Sequence, residues 1–264
     1  MGKKFDIVGL IPAGGTANRL GKIPVSKELF PFILPGKSDK ISVISDNLLR
    51  YYKNAGITHV YFIIRKGKWD IPGYYGDGSE IGMNIGYLIM NLPFGSSFTL
   101  NQAYPFISDK TVALGFPDMI IQPENCFSPL LQRINSNNTD IMLGVFPITS
   151  YRKWDMIEFD GKENIKNIVI KQDRPDLHYG WSIAVWKPAF TNYIHDYLTT
   201  QLKNRPDGTI ELPDNQIREI YMGDIIQDAM INGMKINYVK FEDGKCMDIG
   251  TPDDLKKYYQ LSSF

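Results

Sequence analysis

The chain has 264 residues, 43% of them hydrophobic, and its 29 basic side chains balance 29 acidic ones. That length accommodates one large α/β domain or two small ones. The even charge excludes the basic stripe of a nucleic-acid binder and the polybasic tether of a membrane-surface protein.

Residues 7–12 read as an apolar strand running into Ala13-Gly14-Gly15, too short for a signal-peptide core or a bilayer span. Residues 44–55 have helical spacing, with Leu48, Leu49 and Tyr52 on one face and a stop at Gly56. Residues 57–65 are β-branched and aromatic, hence a strand, and 97–107 are helical within the limit set by Pro105. A strand at 111–116 ends at Pro117-Asp118, a helix follows at 124–135, and a strand at 140–146. Such alternation predicts a doubly wound, mostly parallel α/β sheet with helices on both faces.

The second half is richer in β signals. Residues 156–159 and 165–170 flank Asp160-Gly161 as a hairpin, and 181–186 form a strand. Helices are expected at 188–202 and 217–231, a strand at 236–241 and a last helix at 253–261. No composition break marks a linker. Cys126 and Cys246 are too few for a disulfide framework, which points to packed thiols in a reducing, cytoplasmic setting.

The sharpest chemical signal is Leu10-Ile11-Pro12-Ala13-Gly14-Gly15-Thr16-Ala17-Asn18-Arg19-Leu20, followed by Ser26-Lys27-Glu28-Leu29-Phe30-Pro31. A strand meets a glycine pair, whose missing Cβ atoms let backbone N–H groups close on a phosphate. Arg19 and Lys27 add two cations. A triphosphate requires such a site, because charge builds on the departing pyrophosphate. No Gly-Lys-Ser/Thr follows, so this is not a Walker loop.

The run resembles the sugar-phosphate nucleotidyltransferases, and most closely their glucose-1-phosphate thymidylyltransferase branch, whose pattern is G-G-x-G-T-R-L and then S-K-x-L-x-P. Gly14, Gly15, Arg19, Leu20, Ser26, Lys27, Leu29 and Pro31 match it, while Ala17 and Asn18 stand in place of a glycine and a threonine. Tyr75-Gly76-Asp77-Gly78-Ser79 resembles the family's Y-G-D-G-S, and Pro93-Phe94-Gly95 its P-x-G. Val112-Ala113-Leu114-Gly115-Phe116-Pro117-Asp118 resembles the strand that ends in its metal-binding aspartate, and Asp248-Ile249-Gly250-Thr251-Pro252 its D-x-G-T-P.

The resemblance implies a Rossmann-like sheet with a small β-rich insertion on the sugar side. It implies one domain over 1–264, with 1–150 mainly nucleotide-binding and 151–264 mainly on the sugar-phosphate side. Ala13, Gly14, Gly15, Thr16, Met90, Pro93, Gly95 and Asp118 would line the nucleotide site, with Arg19 and Lys27 as catalytic cations. Asp118 and Asp248 would hold Mg²⁺, although each alone reads equally well as a turn or cap aspartate. Asp173 and Arg174 stand where the family has E-K-P, with Lys171 a rival phosphate ligand; Gly180 and Asp224 complete the expected sugar-phosphate set. Met90 replaces the glutamine with which this branch reads a pyrimidine edge.

The expected activity is nucleotide-sugar biosynthesis: an NTP, dTTP or UTP by resemblance, and a sugar 1-phosphate give a nucleotide-sugar and pyrophosphate. The expected partners are those two substrates, with no nucleic acid and no membrane; a homo-oligomer is compatible with the sequence. Alternatives are a nucleotidyltransferase for a non-sugar phosphate and a catalytically silent module of the same fold. A glycosyltransferase would carry Asp-x-Asp, which the chain lacks.

Overall fold

The protein is described by a computed structural model over residues 6–15, 21, 23–33, 41–90, 95–136, 138–201, 203–204, 210–211 and 219–261. The first half contains β1 (Ile7–Ala13), β2 (Pro31–Ile33), β3 (Ile41–Val43), α1 (Asp46–Asn54), β4 (His59–Arg65), α2 (Asp70–Tyr75) and β5 (Asn84–Met90). It continues through α3 (Ser96–Asn101), α4 (Tyr104–Ile107), β6 (Thr111–Leu114), β7 (Met119–Gln122), α5 (Phe127–Ser136) and β8 (Ile141–Pro147). The second half contains β9 (Asp155–Phe159), β10 (Ile165–Ile170), β11 (Tyr179–Trp186), α6 (Pro188–Gln201), β12 (Lys203–Asn204) and β13 (Ile210–Glu211). It ends with α7 (Met222–Ile231), β14 (Ile236–Lys240), β15 (Lys245–Asp248) and α8 (Pro252–Leu261).

Nine strands form the main sheet. β5, β4, β1 and β6 run parallel in that spatial order. β11 lies antiparallel between β6 and β8, and β14 pairs parallel with β8. The β9–β10 hairpin joins the start of β11 through Gly180 and Met156. After β1 the chain first builds outward through β4 and β5, then returns to place β6 on the other side of β1. In open α/β sheets ligands bind beyond the carboxyl ends of the strands at such a reversal.

Period-two alternation explains the two cores. Ile11, Phe62, Ile64 and Ala113 face α1 and α5 through Leu48, Tyr52, Phe127 and Leu130. Their neighbours Leu10, Ile63, Val112 and Leu114 face α3, α6 and α7 through Phe98, Phe190 and Ile225. Each fully buried Val, Leu, Ile or Phe among them contributes about 1.5–3 kcal/mol. Tyr52 keeps its buried hydroxyl satisfied: it lies 3.0 Å from the Leu10 carbonyl and 2.9 Å from that of Ala113, between β1 and β6.

Three local expectations change. The helix expected at 97–107 is broken into α3 and α4, with a proline in the first turn of α4; Pro105 has no N–H to continue the ladder. The helix expected from 217 starts at Met222, because the Tyr221 N–H is already taken by the Asp224 carboxylate at 2.9 Å; residues 217–218 lie outside the described set. A small antiparallel pair, β7 with β15, was not foreseen, and it places Asp248 opposite Met119. Among the described residues no helix is long and apolar enough to cross a membrane.

Candidate active site

The carboxyl ends of three parallel strands form one wall. Ala13 stands opposite Ile64, and Arg65 opposite Met90, so Gly14, Arg65 and Met90 end adjacent strands. Ala13 is fully buried. Met90, 7% exposed, packs beneath the glycine turn: a Cβ at Gly14 would stand 3.3 Å from its Cγ. Gly15 is exposed, and a Cβ there would stand 3.9 Å from the Lys27 ammonium. Thr16, Arg19 and Pro93 lie outside the described residues. Gly95 precedes α3 with φ +99°, and a Cβ on it would meet Glu219 Cγ at 2.5 Å. Both facts require glycine there.

Lys27 is held from three sides. Its ammonium donates to Asp118 Oδ2 at 2.5 Å. On its N-terminal side, the Ser26 N–H and hydroxyl donate to the two Asp70 oxygens at 2.6 and 2.7 Å. On its C-terminal side, the fully buried Glu28 accepts two hydrogen bonds from Lys68, both 2.8 Å. Burial pulls the Lys27 ammonium toward neutrality, but Asp118, Glu28 and Asp248 outweigh it and hold its pKa above the usual lysine value. Burial raises Glu28 and lowers Lys68, each against the pull of the other.

Asp118 sits between β6 and β7, and Asp248 ends β15. The Ile249 N–H donates to the Asp118 carbonyl at 2.9 Å, which joins the two segments, and both aspartates line one cavity of about 330 Å³. Among the described residues no three His, Cys, Asp or Glu side chains gather. Two carboxylates on one cavity are what Mg²⁺ takes from protein when phosphates and waters complete its shell. The residues present therefore fit such an ion.

The far side of this cavity is built from Asp155, Lys171, Trp181 and Tyr221. Burial lifts the Asp155 carboxyl to about 6; Lys171 pulls it back and Asp224 adds to the rise. The Trp181 indole also lowers it, yet neither Trp181 Nε1 nor Asp155 Oδ1 completes a hydrogen bond of good geometry among the described residues. Lys171 has φ +46°, unusual for a residue with a Cβ, and its ammonium lies 3.5 Å from the Tyr221 ring centroid. Strained backbone of this kind concentrates at functional sites.

The structure brings Lys171 to the cavity wall but not Asp173 or Arg174. Asp173 pairs with Arg152, and Arg174 makes a two-pronged pair with Asp176 at 2.6 and 2.8 Å. Gly180 is a packing residue, because a Cβ would stand 3.2 Å from the Asp155 carbonyl. Asp224 caps α7 and faces Asp155 electrostatically.

Sequence reasoning missed Asp155, Tyr221 and the anchors Glu28, Lys68 and Asp70. One signal was available: Asp155 shares a strand face with the buried Ile157, so alternation turns it inward. The histidines stay away from this site: His59 faces Thr58 and Asn84, and His195 stacks on Tyr104. Cys126 and Cys246 carry free thiols.

Known proteins resemble this chain in sequence and in fold. A low-salt glycan biosynthesis nucleotidyltransferase of Haloferax volcanii is 24% identical over 96% of the chain, which spans 65% of that relative's length. A glucose-1-phosphate thymidylyltransferase of Mycolicibacterium smegmatis is 25% identical over 81% of the chain and 70% of its own. A Bacillus anthracis protein crystallised with sucrose superposes with a TM-score of 0.78 at 19% identity, over 97% of this chain and 95% of that one. Residues 8–262 match the nucleotidyl transferase family, and the chain belongs to it.

Proposed function

We propose that the chain transfers a nucleotidyl group from an NTP, with dTTP or UTP preferred, to a sugar 1-phosphate, and releases pyrophosphate. The observation that carries this reading is the cavity lined by Asp118 and Asp248, with Asp118 bonded to the Lys27 ammonium that stands beside the glycine turn. In this reading residues 1–150 supply the nucleotide side, 151–264 supply the acceptor side and Asp248, and the enzyme works on soluble cytoplasmic substrates.

An oxygen of the acceptor phosphate attacks the α-phosphorus, and the bond to the bridging oxygen of the β-phosphate breaks. Such chemistry depends on positioning and charge stabilisation rather than on a protein nucleophile. Lys27, fixed by its anchored neighbours, stabilises charge on the α-phosphate. Lys171 holds the acceptor phosphate in place of Arg174, and Asp155 faces the acceptor's polar groups. Asp118 and Asp248 would hold a divalent cation, which when bound neutralises and orients the α-phosphate.

A second reading, a phosphorylated acceptor other than a sugar, is favoured by one observation: Asp173 and Arg174 pair with Arg152 and Asp176 instead of lining the cavity. Pyrophosphate release measured for each NTP against sugar 1-phosphates and other phosphorylated alcohols separates the readings. Release with no acceptor of either kind would refute both.

A further inference from the structure

The cavity shared by Asp118 and Lys171 carries more charge than an acceptor with only a phosphate would use. Three carboxylates line it, Asp118, Asp155 and Asp248, together with the cations Arg152, Lys153 and Lys171. Asp118 is bonded to Lys27, and Asp118 with Asp248 suits a divalent cation at the nucleotide end. Arg152 pairs with Asp173 and Lys153 with Asp254, two aspartates that stand outside the lining. Asp155 and Lys171 are left on the far wall. An acceptor phosphate accounts for Lys171, but it repels a carboxylate beside it, so Asp155 needs a partner of another kind.

The geometry around Asp155 says what that partner is. One carboxylate oxygen, Oδ2, is turned to the start of α7, where a Cβ on Gly223 would stand 2.5 Å from it. The other, Oδ1, is buried without a hydrogen bond of good geometry among the described residues. A buried carboxylate oxygen left without a donor is costly, so a donor on the ligand is strongly favoured there. Four aromatic residues, Phe116, Trp154, Trp181 and Tyr221, line the same cavity. One of their rings already carries an ammonium on its face: that of Lys171 lies 3.5 Å from the Tyr221 centroid. It is brought there by the positive φ of Lys171 and by its N–H, which donates to the Trp154 carbonyl at 3.1 Å. The wall thus seats an ammonium between an aromatic face and a buried carboxylate. Rings offer a polyol no match for its hydroxyls, whereas a cation is held by ring faces and one carboxylate.

We infer that the acceptor carries an ammonium group as well as its phosphate, and that Asp155 and the face of Tyr221 select it. This rests on the reaction proposed above. The acceptor phosphate draws the Lys171 ammonium off the Tyr221 ring, and the acceptor's own ammonium takes its place against Asp155. The charge at the far wall is conserved in this exchange, and no bond to the amine is made or broken. The buried Trp181 indole N–H, also without a well-formed partner, is a donor for an oxygen of the same ligand. A phosphate monoester bearing a free amine has two sources, an amino sugar 1-phosphate and a phosphorylated amino alcohol.

The test uses the full chain and two matched pairs of acceptors, glucosamine 1-phosphate with glucose 1-phosphate and phosphoethanolamine with ethyl phosphate. Calorimetry measures binding of each, pyrophosphate release gives kcat/KM, and thermal melts check folding. The wild type is expected to bind the amine member of one pair about tenfold or more tighter than its neutral partner, and the pair in which this holds identifies the source. Asp155→Asn should abolish that preference while leaving the affinity for the neutral member unchanged. Tyr221→Leu should weaken the preference and Tyr221→Phe, which keeps the ring, should retain it. The inference is overturned if the wild type binds none of the four, or binds both members of each pair equally. It is equally overturned if Asp155→Asn weakens both members together, which marks a structural role. If the amine preference is present and is lost in Asp155→Asn, yet no NTP releases pyrophosphate with any acceptor, the proposed reaction falls and the ammonium site stands. Equal kcat/KM for glucose 1-phosphate and glucosamine 1-phosphate, with no preference in the second pair, keeps the reaction and overturns the inference.

Discussion

Replacing Asp155 with asparagine should make the protein more stable at neutral and alkaline pH. Burial raises the Asp155 carboxyl from its ordinary 3.8 to about 6, so folding favours its protonated form. That preference is fully present below about pH 4 and is lost as the pH rises through about 6. The difference between the two values corresponds to about 3 kcal/mol, which the wild type forgoes at pH 8. Asparagine keeps the shape and an acceptor oxygen for the Gly223 backbone, but it never carries the charge. The stability gap between Asp155→Asn and wild type should therefore widen with pH, mostly between about pH 4 and about pH 6. A melting difference of about 5–10 °C at pH 8 would correspond to the full amount. Urea unfolding of both proteins at half-unit pH steps measures it, and subtraction removes titrations common to the two. A gap that stays constant with pH would refute the assignment of a raised carboxyl to Asp155. The same variant should lose acceptor affinity, since a charge kept in a cavity at a cost to stability is a mark of function.

Lys27→Met should lower kcat/KM about 10- to 100-fold while the 26–28 turn keeps its Asp70 and Lys68 anchors; a fully active variant would exclude Lys27 from the reaction. Asp118→Asn and Asp248→Asn should each cost about a hundredfold or more in rate, and excess EDTA should abolish turnover; full activity in EDTA would rule out a divalent cation. Gly95→Ala should destabilise by about 1–3 kcal/mol, because it forces a Cβ both into left-handed backbone and onto Glu219, and Glu219→Ala should relieve only the second part; denaturant midpoints for the single and double variants decide. Met90→Gln should sharpen the preference for dTTP and UTP over CTP, read as a ratio of kcat/KM values; an unchanged ratio would leave Met90 only the packing role it has beneath Gly14.

The elements that were legible in the sequence are those whose signal is local. β1, β4, β6 and β8 announce themselves by β-branched apolar runs, α1 by its 3.6-residue stripe and Gly56, and the β9–β10 hairpin by Asp160-Gly161. Sequence also marked Lys27, Asp118 and Asp248, because each stands at the end of a strand or in a motif. It grouped Asp173 and Arg174 with Lys171, which the structure separates for a reason that geometry makes plain. Asp173 and Arg174 offer suitable charges in sequence order, but their nearest opposite charges, Arg152 and Asp176, claim them at the rim. Lys171 reaches the cavity through a positive φ that no residue type announces.

The Glu28–Lys68 pair was illegible for a deeper reason: 40 residues separate its members, and an isolated glutamate after Ser-Lys looks solvated. Burying two charges costs several kcal/mol of desolvation, which their attraction recovers only with good geometry. Here both oxygens of a fully buried carboxylate are met at 2.8 Å. An apolar pair could fill the same space without that cost, but it could not fix the turn's orientation, because hydrophobic contact is non-directional. Two directional hydrogen bonds on one side of Lys27 and two more from Ser26 on the other leave its backbone little freedom to slide or rotate. The ammonium of a flexible lysine is thereby presented at one point against Asp118, which is what the proposed reaction, governed by positioning, requires.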